Sequence, residues 1–165
     1  MPSSPRITPC LWFDSQAEEA AKFYTGIFRN SRIADIGRYS EAGKEVHGRP
    51  PGSVMIVVFE LDGQRFTALN GGPHFKFNEA VSLQVSCATQ AEVDHYWDQL
   101  SAGGDPKAQQ CGWLKDRYGL SWQIVPDIVP KLLGDPTSPK SQRAMTEMMG
   151  QKKPDIAAMQ RAYDG

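Results

Sequence analysis

The chain has 165 residues and a formal net charge of −1, with 40% hydrophobic and 22% charged residues. This composition is typical of one globular domain or two small fused modules, and the interspersed charges give no electrostatic footprint for nucleic acid or an anionic membrane. The three cysteines are far apart and form no C-x-x-C pair, which argues against a disulfide framework or a zinc site. With no apolar stretch of membrane-spanning length and no apolar signal core, we expect a cytoplasmic protein.

The first half of the chain has the pattern of a strand, a helix and three more strands. An apolar run at residues 7–13 predicts the first strand, and Ser15-Gln16-Ala17-Glu18 has the form of a capping box at the start of a helix. Asp62-Gly63 between two β-branched runs predicts a hairpin. The polar segment 40–52, rich in Gly and Pro, is expected to be a loop. The further predicted strands are residues 33–39, 53–61 and 64–70.

The pattern then restarts. Residues 81–87 alternate between apolar and polar side chains, and Gln16-Ala17-Glu18 recurs as Gln90-Ala91-Glu92 after Thr89, which predicts a second capped helix ending near Gly103-Gly104. Strands at residues 109–115 and 119–125 would then form a hairpin. When the second half is shifted along the chain onto the first, a single shift aligns the strand, the cap and the helix together, so the sequence indicates a structural duplication.

Residues 127–165 have no counterpart in the first half. Segments 138–151 and 154–163 are predicted to be helical, with Pro154 suited to a first helical turn. Met145, Met148 and Met149 form an apolar face on the first of these helices. We expect that face to pack on the sheet or on a partner chain, because methionine fills irregular gaps readily.

Three stretches resemble the PhnB-like family, often labelled 3-demethylubiquinone-9 3-methyltransferase-like, of the vicinal-oxygen-chelate (glyoxalase/bleomycin resistance/extradiol dioxygenase) superfamily. They are residues 7–24, 66–72 and 112–123. The resemblance implies an α+β, glyoxalase-like domain at residues 1–126. It would contain two βαβββ-type modules, about 6–72 and 80–126, whose half-barrel sheets enclose a pocket in a homodimer. A C-terminal helical extension, residues 127–165, would follow.

The faces of the predicted strands suggest which side chains meet a ligand. Three polar side chains in a row on strand 81–87 would each cost about 1–3 kcal/mol if buried unpaired, so that face is solvated or lines a polar pocket. The expected helix-facing set is Ile7, Leu11, Phe13, Val81, Leu83, Val85, Trp122 and Ile124. Trp12 and Trp113 are candidate aromatic walls of the pocket, and Trp97 is expected in the core. The candidate ligand-binding residues are Thr8, Cys10, Trp12, Asn70, His74, Ser82, Gln84, Trp113 and Gln123.

The resemblance also bears on metal binding. Metal-dependent relatives hold their ion with histidine and glutamate, and the resemblance places Thr8 and Ser82 in the two histidine positions and Gln123 in a glutamate position. The fourth position falls near Ala68 or Asn70. Hydroxyls and amides are poor ligands for a divalent first-row ion, so we expect no metal and no other cofactor.

Three functions remain open at this point. The first is binding of a small organic molecule without a metal. The second is an enzyme, whether a lyase, isomerase, dioxygenase or methyltransferase, acting on a small aromatic or quinone-like substrate; Cys10, expected to be a buried thiol, has no evident base beside it. The third is a dimeric interaction protein. Residues 70–73, Asn-Gly-Gly-Pro, lead into Phe75 rather than a helix, which makes them a weak cofactor cradle.

Overall fold

The computed structural model describes residues 6–165 and divides into two compact units between Lys76 and Phe77. Each unit is a small sheet covered on one face by a helix, so the α+β prediction is confirmed. None of the helices in the described part of the chain has the length and apolar character needed to cross a membrane.

The first unit has the predicted βαβββ order. Its sheet runs in the order β1-β4-β3-β2, with β1 parallel to β4 and the other neighbours antiparallel. A short helix, α2, lies inside the predicted loop. The elements are β1 (Cys10–Phe13), α1 (Ala17–Ile27), β2 (Arg32–Arg38), α2 (Lys44–His47), β3 (Val54–Leu61) and β4 (Gln64–Asn70).

Helix α1 buries an apolar stripe against β3 and β4. Tyr24 is fully buried and stacks on Phe59 at 6.2 Å between ring centroids, and Phe59 stacks on Phe66 at 5.5 Å. Side chains of this size each contribute about 1.5–3 kcal/mol when fully buried. The hairpin between β3 and β4 is confirmed: Asp62 and Gly63 have φ angles of 46° and 80°, the two left-handed residues that a type I′ turn needs.

The predicted capping box at Ser15 is wrong. The N-cap residue of α1 is Gln16, which makes no side-chain capping bond. Instead the Ala17 N–H donates to Asn70 Oδ1 at 2.8 Å, and Asn70 Nδ2 donates to the Val54 carbonyl at 3.1 Å. The end of β4 therefore supplies the cap, from 53 residues away along the chain.

The second unit begins with a three-stranded sheet in the order β5-β7-β6, with β5 parallel to β7. It has one strand fewer than the sheet of the first unit. The predicted strand 109–115 is shortened because Cys111 and Gly112 adopt left-handed φ angles of 50° and 82°. The elements are β5 (Ser82–Cys87), α3 (Gln90–Ser101), a 3-10 turn (Pro106–Ala108), β6 (Trp113–Lys115), β7 (Ser121–Pro126), α4 (Val129–Leu133), α5 (Pro139–Gly150) and α6 (Ile156–Asp164).

The second capping box is confirmed. Thr89 Oγ1 accepts from the Glu92 N–H at 3.2 Å, and the Glu92 carboxylate accepts from the Ala88 N–H at 2.7 Å. The first bond satisfies a backbone donor that the first turn of α3 leaves free, and the second ties Glu92 back to the residue before the N-cap.

The C-terminal helices form a cluster of their own around buried Leu132, Ala144 and Met159. Met148 packs against this cluster, whereas Met145 and Met149 are 42% and 56% exposed, so the predicted methionine face is only partly packed. Gln90 ties this region to α3: its Nε2 donates to the Pro154 carbonyl at 3.0 Å, and its Oε1 accepts from the Ile156 N–H at 2.9 Å.

Two residues of the expected helix-facing set are exposed. Ile7 and Val81 are 84% and 68% exposed because each precedes the first residue of its strand. Leu83 is half-buried. The buried members are Leu11, Phe13, Val85, Trp122 and Ile124, and Trp97 is buried as predicted. The expected burial of Cys10 is also wrong, since this thiol is exposed.

Candidate functional site

The turn between β6 and β7 is built around a buried carboxylate. Asp116 Oδ1 accepts from the N–H groups of Tyr118 and Leu120 at 2.8 and 3.0 Å, and Oδ2 accepts from the Trp122 indole N–H at 2.9 Å. Asp116 is 2% exposed. The carboxylate thus fixes the turn and anchors Trp122 in the core, which places the neighbouring residues of β6 and β7 in register.

That register creates a polar face on the three-stranded sheet, opposite α3. Gln84 of β5 and Trp113 of β6 lie on either side of Gln123 of β7. Gln123 Nε2 donates to Ser82 Oγ at 2.7 Å, and Gln84 Nε2 approaches Gln123 Oε1 at 3.5 Å. Three of the predicted site residues are therefore joined in one hydrogen-bonded row, with an indole beside it.

Ser121 lies on the same face. It is 1% exposed, and its hydroxyl has no hydrogen-bond partner among the described residues. A buried hydroxyl left in this state costs about 1–3 kcal/mol. Its neighbour Lys115 pairs with the Glu79 carboxylate, and this hydrogen bond lowers the pKa of Glu79. This corner of the face thus combines a charged pair with an unsatisfied polar atom.

The open face of the four-stranded sheet is more apolar. Cys10 and Trp12 of β1 lie beside Thr67 and Leu69 of β4. Next to these on β3 are Ile56 and Val58. The Cys10 thiol is exposed on this face, and Thr8, just before β1, is half-buried.

The Trp12 side chain packs directly against Gly71 and Gly72. The Trp12 indole N–H donates to the Gly72 carbonyl at 2.8 Å, and the ring contacts Phe75 edge-on at 4.8 Å. A Cβ on Gly71 would lie 2.2 Å from the indole ring. These glycines therefore allow close packing of a tryptophan, which accounts for them without a cofactor.

Asn70 and His74 differ in burial and in hydrogen bonding. Asn70 is 6% exposed, both of its amide atoms are hydrogen-bonded, and its carbonyl accepts from the Tyr39 hydroxyl at 2.6 Å. His74 is exposed in the loop after Gly72. Arg49 approaches the same loop and binds the Asp14 carbonyl at 2.8 Å.

The residues at the implied metal positions do not fit an ion. Ser82 and Gln123 offer a hydroxyl and an amide that already bond each other, and Ala68 has no donor. Within residues 6–165, no three His, Cys, Asp or Glu side chains are grouped so that they could hold a metal. A divalent first-row ion needs imidazole, thiolate or carboxylate ligands.

Comparison with known proteins decides the family. The model of the 3-demethylubiquinone-9 3-methyltransferase family matches residues 5–125. A PhnB protein from Bacillus cereus is 36% identical over 74% of this chain and 99% of its own, with a TM-score of 0.62. The chain belongs to this PhnB-like family. No curated protein matches it.

More distant solved structures share the fold of this PhnB-like chain. A Pseudomonas aeruginosa protein is 17% identical over 75% of this chain and all of its own, with a TM-score of 0.54. The Listeria monocytogenes fosfomycin resistance protein FosX, solved with Mn(II) and sulfate, is 13% identical over 80% of this chain and 97% of its own, with a TM-score of 0.51. The family match ends before α4, so helices α4 to α6 lie outside it.

Two features of this PhnB-like site were missed in the sequence. The burial of Ser121 was not foreseen, although its place two residues before Gln123 puts it on the polar face. The engagement of Asn70 by α1 was also missed, because it depends on a contact between distant parts of the chain. No local pattern reports such a contact.

Proposed function

We propose that this PhnB-like protein binds a small organic molecule without a metal ion, on the polar face of the β5-β7-β6 sheet. The observation that carries the proposal is the hydrogen-bonded row of Gln84, Gln123 and Ser82 beside Trp113. Ligand sites combine an apolar wall with a few fixed polar groups, and this row supplies both.

The chemistry of the row favours a planar ligand with carbonyl, hydroxyl or N–H groups. Each glutamine amide offers a donor and an acceptor, and the bonds to Ser82 and Gln84 hold the Gln123 amide in one orientation. Trp113 is half-buried and offers a ring for stacking. A small aromatic or quinone-like molecule has the shape and the polar edge that this row suits.

The open face of the four-stranded sheet is a second candidate surface. It carries the exposed Cys10 thiol and the Trp12 indole; Thr8 lies just before β1, and His74 precedes Phe75, whose ring contacts Trp12. These residues suit an apolar part of a ligand. We propose them as the contacts of this second surface, which belongs to the first unit.

A thermal-shift screen tests the proposal. Small aromatic carbonyl compounds and quinones are added in the presence of EDTA, and a ligand at about 100 times its Kd should raise Tm by roughly 5–10 °C. Gln123→Leu should abolish the shift, whereas Gln99→Leu, on the exposed side of α3, should keep it. A library that yields no ligand for the wild-type protein contradicts the proposal, and so does a ligand that binds only when a divalent metal is added.

The family label suggests a second candidate, a methyltransferase. A nucleotide-type methyl donor would need a strand, a glycine-rich turn and a helix, but residues 71–81 contain no helix and Trp12 fills the space beside Gly71. We therefore favour the binding function. Calorimetric titration with S-adenosylmethionine should show no heat of binding, and a saturable heat would revive the methyltransferase.

We also propose that the protein is a homodimer, as the family resemblance implies. Light scattering should then give twice the chain mass of 18.3 kDa. A mass equal to that of one chain would remove dimerisation from the account.

A further inference from the structure

Two sulfur atoms meet where the chain enters β6. Cys111 Sγ lies 3.7 Å from Met149 Sδ, near the C-terminal end of α5. Cys111 is half-buried and Met149 is 56% exposed, so the pair is open to solvent on one side. We propose that these two sulfurs bind a single Cu(I) ion. The proposal is independent of the ligand-binding function described above.

The separation of the sulfurs suits one shared ion. With metal–sulfur bonds of about 2.3 Å, two sulfurs 3.7 Å apart subtend an angle of about 107° at the metal. This angle leaves room for a third ligand. Met145 lies one helical turn before Met149 and is 42% exposed, and residues four apart in a helix share a face.

The backbone holds the thiol in place before any ion arrives. Cys111 has a φ of 50°, which is uncommon for a residue with a side chain. Its N–H donates to the Gln151 carbonyl at 2.8 Å, and the Gly112 N–H donates to the Lys152 carbonyl at 2.9 Å. A Cβ on Gly112 would lie 2.6 Å from the Ile124 carbonyl oxygen, so this segment is packed closely against β7.

A neighbouring side chain bridges the two sides of the sulfur pair. Gln110 Nε2 donates to the Met149 carbonyl at 2.6 Å and lies 3.5 Å from Cys111 Sγ. The end of α5 and the segment before β6 are therefore joined by side chain as well as backbone. When the side chains that hold an ion are already oriented, little free energy is spent on ordering them as the ion binds.

The ligand types select the ion. Thiolate and thioether are soft donors that favour Cu(I), whereas Mg²⁺, Ca²⁺ and Mn²⁺ prefer oxygen ligands. On binding, the Cys111 S–H bond breaks, its proton passes to the buffer, and a Cu–S bond forms. The copper stays in the +1 state, and no electron is transferred.

A competition titration tests the site. Reduced protein is titrated against the Cu(I) complex of bicinchoninate, so that an isolated thiol is outcompeted, and the wild-type protein should withdraw one Cu(I) per chain. Loss of an outer-shell group already costs about 10–100-fold in metal affinity, so loss of a direct ligand in Met149→Leu should weaken binding at least that much. Cys111→Ser should abolish it, whereas Cys10→Ser, which removes an exposed thiol elsewhere, should leave it unchanged.

A second test uses Ag(I), a redox-inert analogue of Cu(I), and follows the methionine methyl signals by NMR. The Met149 methyl signal should shift on addition of one equivalent, and the Met55 signal should not. Wild-type affinity in Met149→Leu overturns the proposal, as does loss of the ion in Cys10→Ser or an unmoved Met149 signal. Should Cys111→Ser fail to fold, as judged by its thermal melt, Met149→Leu and the methyl spectrum decide.

Discussion

At the scale of single residues, part of the family-like stretch 112–123 proves to be structural. The segment 115–122 carries Asp116, whose carboxylate accepts three hydrogen bonds in the β6–β7 turn, including one from Trp122. A motif shared across a family can therefore describe how a site is supported rather than what it binds.

Asp116→Ala should destabilise the protein strongly. It leaves two backbone N–H groups and an indole N–H without their acceptor, and unsatisfied buried groups cost about 1–3 kcal/mol each before the structure relaxes. We expect a loss of about 2–4 kcal/mol in the free energy of unfolding, measured by urea denaturation. Gln99→Ala, on the exposed side of α3, is the control and should change it by less than about 0.5 kcal/mol.

The cysteines should differ sharply in reactivity. Burial raises the pKa of the Cys87 thiol to about 12, and nearby Glu92 and Asp127 add to the rise, whereas Cys10 is exposed. The thiolate is the reactive form, so at pH 8 only about one Cys87 in ten thousand is ionised in the folded protein. A thiol-reactive dye should label Cys10 quickly and Cys87 only after unfolding. Rapid native labelling of Cys87, located by peptide mass spectrometry, would contradict the burial.

Alternation along one strand was enough to place part of the candidate site. Ser82 and Gln84 are predicted to share a face from residues 81–87 alone, and the structure has Gln123 hydrogen-bonded to both. The exposure of Cys10 could not be predicted in this way. Cysteine is usually buried, and only the position of the chain around β1 decides otherwise.

At the scale of elements, two nearly identical sequence signals had different outcomes. Thr89-Gln90-Ala91-Glu92 forms a capping box, but Ser15-Gln16-Ala17-Glu18 does not. The difference is Asn70, which reaches the Ala17 N–H from the end of β4. A local signature can thus be overridden by a tertiary partner, which the sequence around the helix cannot reveal.

Substitutions at the two candidate caps of α1 should separate them. Asn70→Ala removes the acceptor for Ala17 and the donor to Val54, and we expect a loss of about 1–3 kcal/mol in the free energy of unfolding. Ser15→Ala should cost less than about 0.5 kcal/mol, because its hydroxyl makes no capping bond. Urea denaturation measures both. Equal losses in the two variants would restore Ser15 as a cap.

Strand boundaries could be predicted from the sequence where a segment of strand-forming residues is long. They could not be predicted where a residue adopts a left-handed backbone conformation. The boundaries of β4 match the predicted residues 64–70, and Asp62-Gly63 fixes the β3–β4 turn. The predicted strand 109–115 shortens to Trp113–Lys115 because the chain turns at Cys111 and Gly112. A left-handed cysteine is not suggested by its residue type, since glycine and asparagine usually occupy such positions.

At the scale of the whole molecule, the duplication is visible but unequal. The first unit keeps the βαβββ order, whereas the second has a three-stranded sheet followed by helices that lie beyond the family match. Those helices have their own buried cluster and are tied to α3 through Gln90. The C-terminal region is therefore an integral part of the second unit rather than a loose tail.

Comparison with a protein of similar fold shows that a shared fold does not require the same chemistry at the site. FosX, which shares the fold, has been solved with Mn(II), whereas Ser82 and Gln123, which the family resemblance places at metal-ligand positions, carry a hydroxyl and an amide that bond each other. One fold can host a chelating site in one protein and a hydrogen-bonding site in another. Metal-free binding on the polar face is therefore the central claim about this protein.

The most direct test is an NMR titration of the strongest ligand from the thermal-shift screen, carried out in EDTA. The side-chain amide signals of Gln84 and Gln123 should move together and saturate with the ligand, and the Gln99 signal should stay in place. Unmoved signals from Gln84 and Gln123 during saturable binding, or binding that disappears in EDTA, would contradict the account.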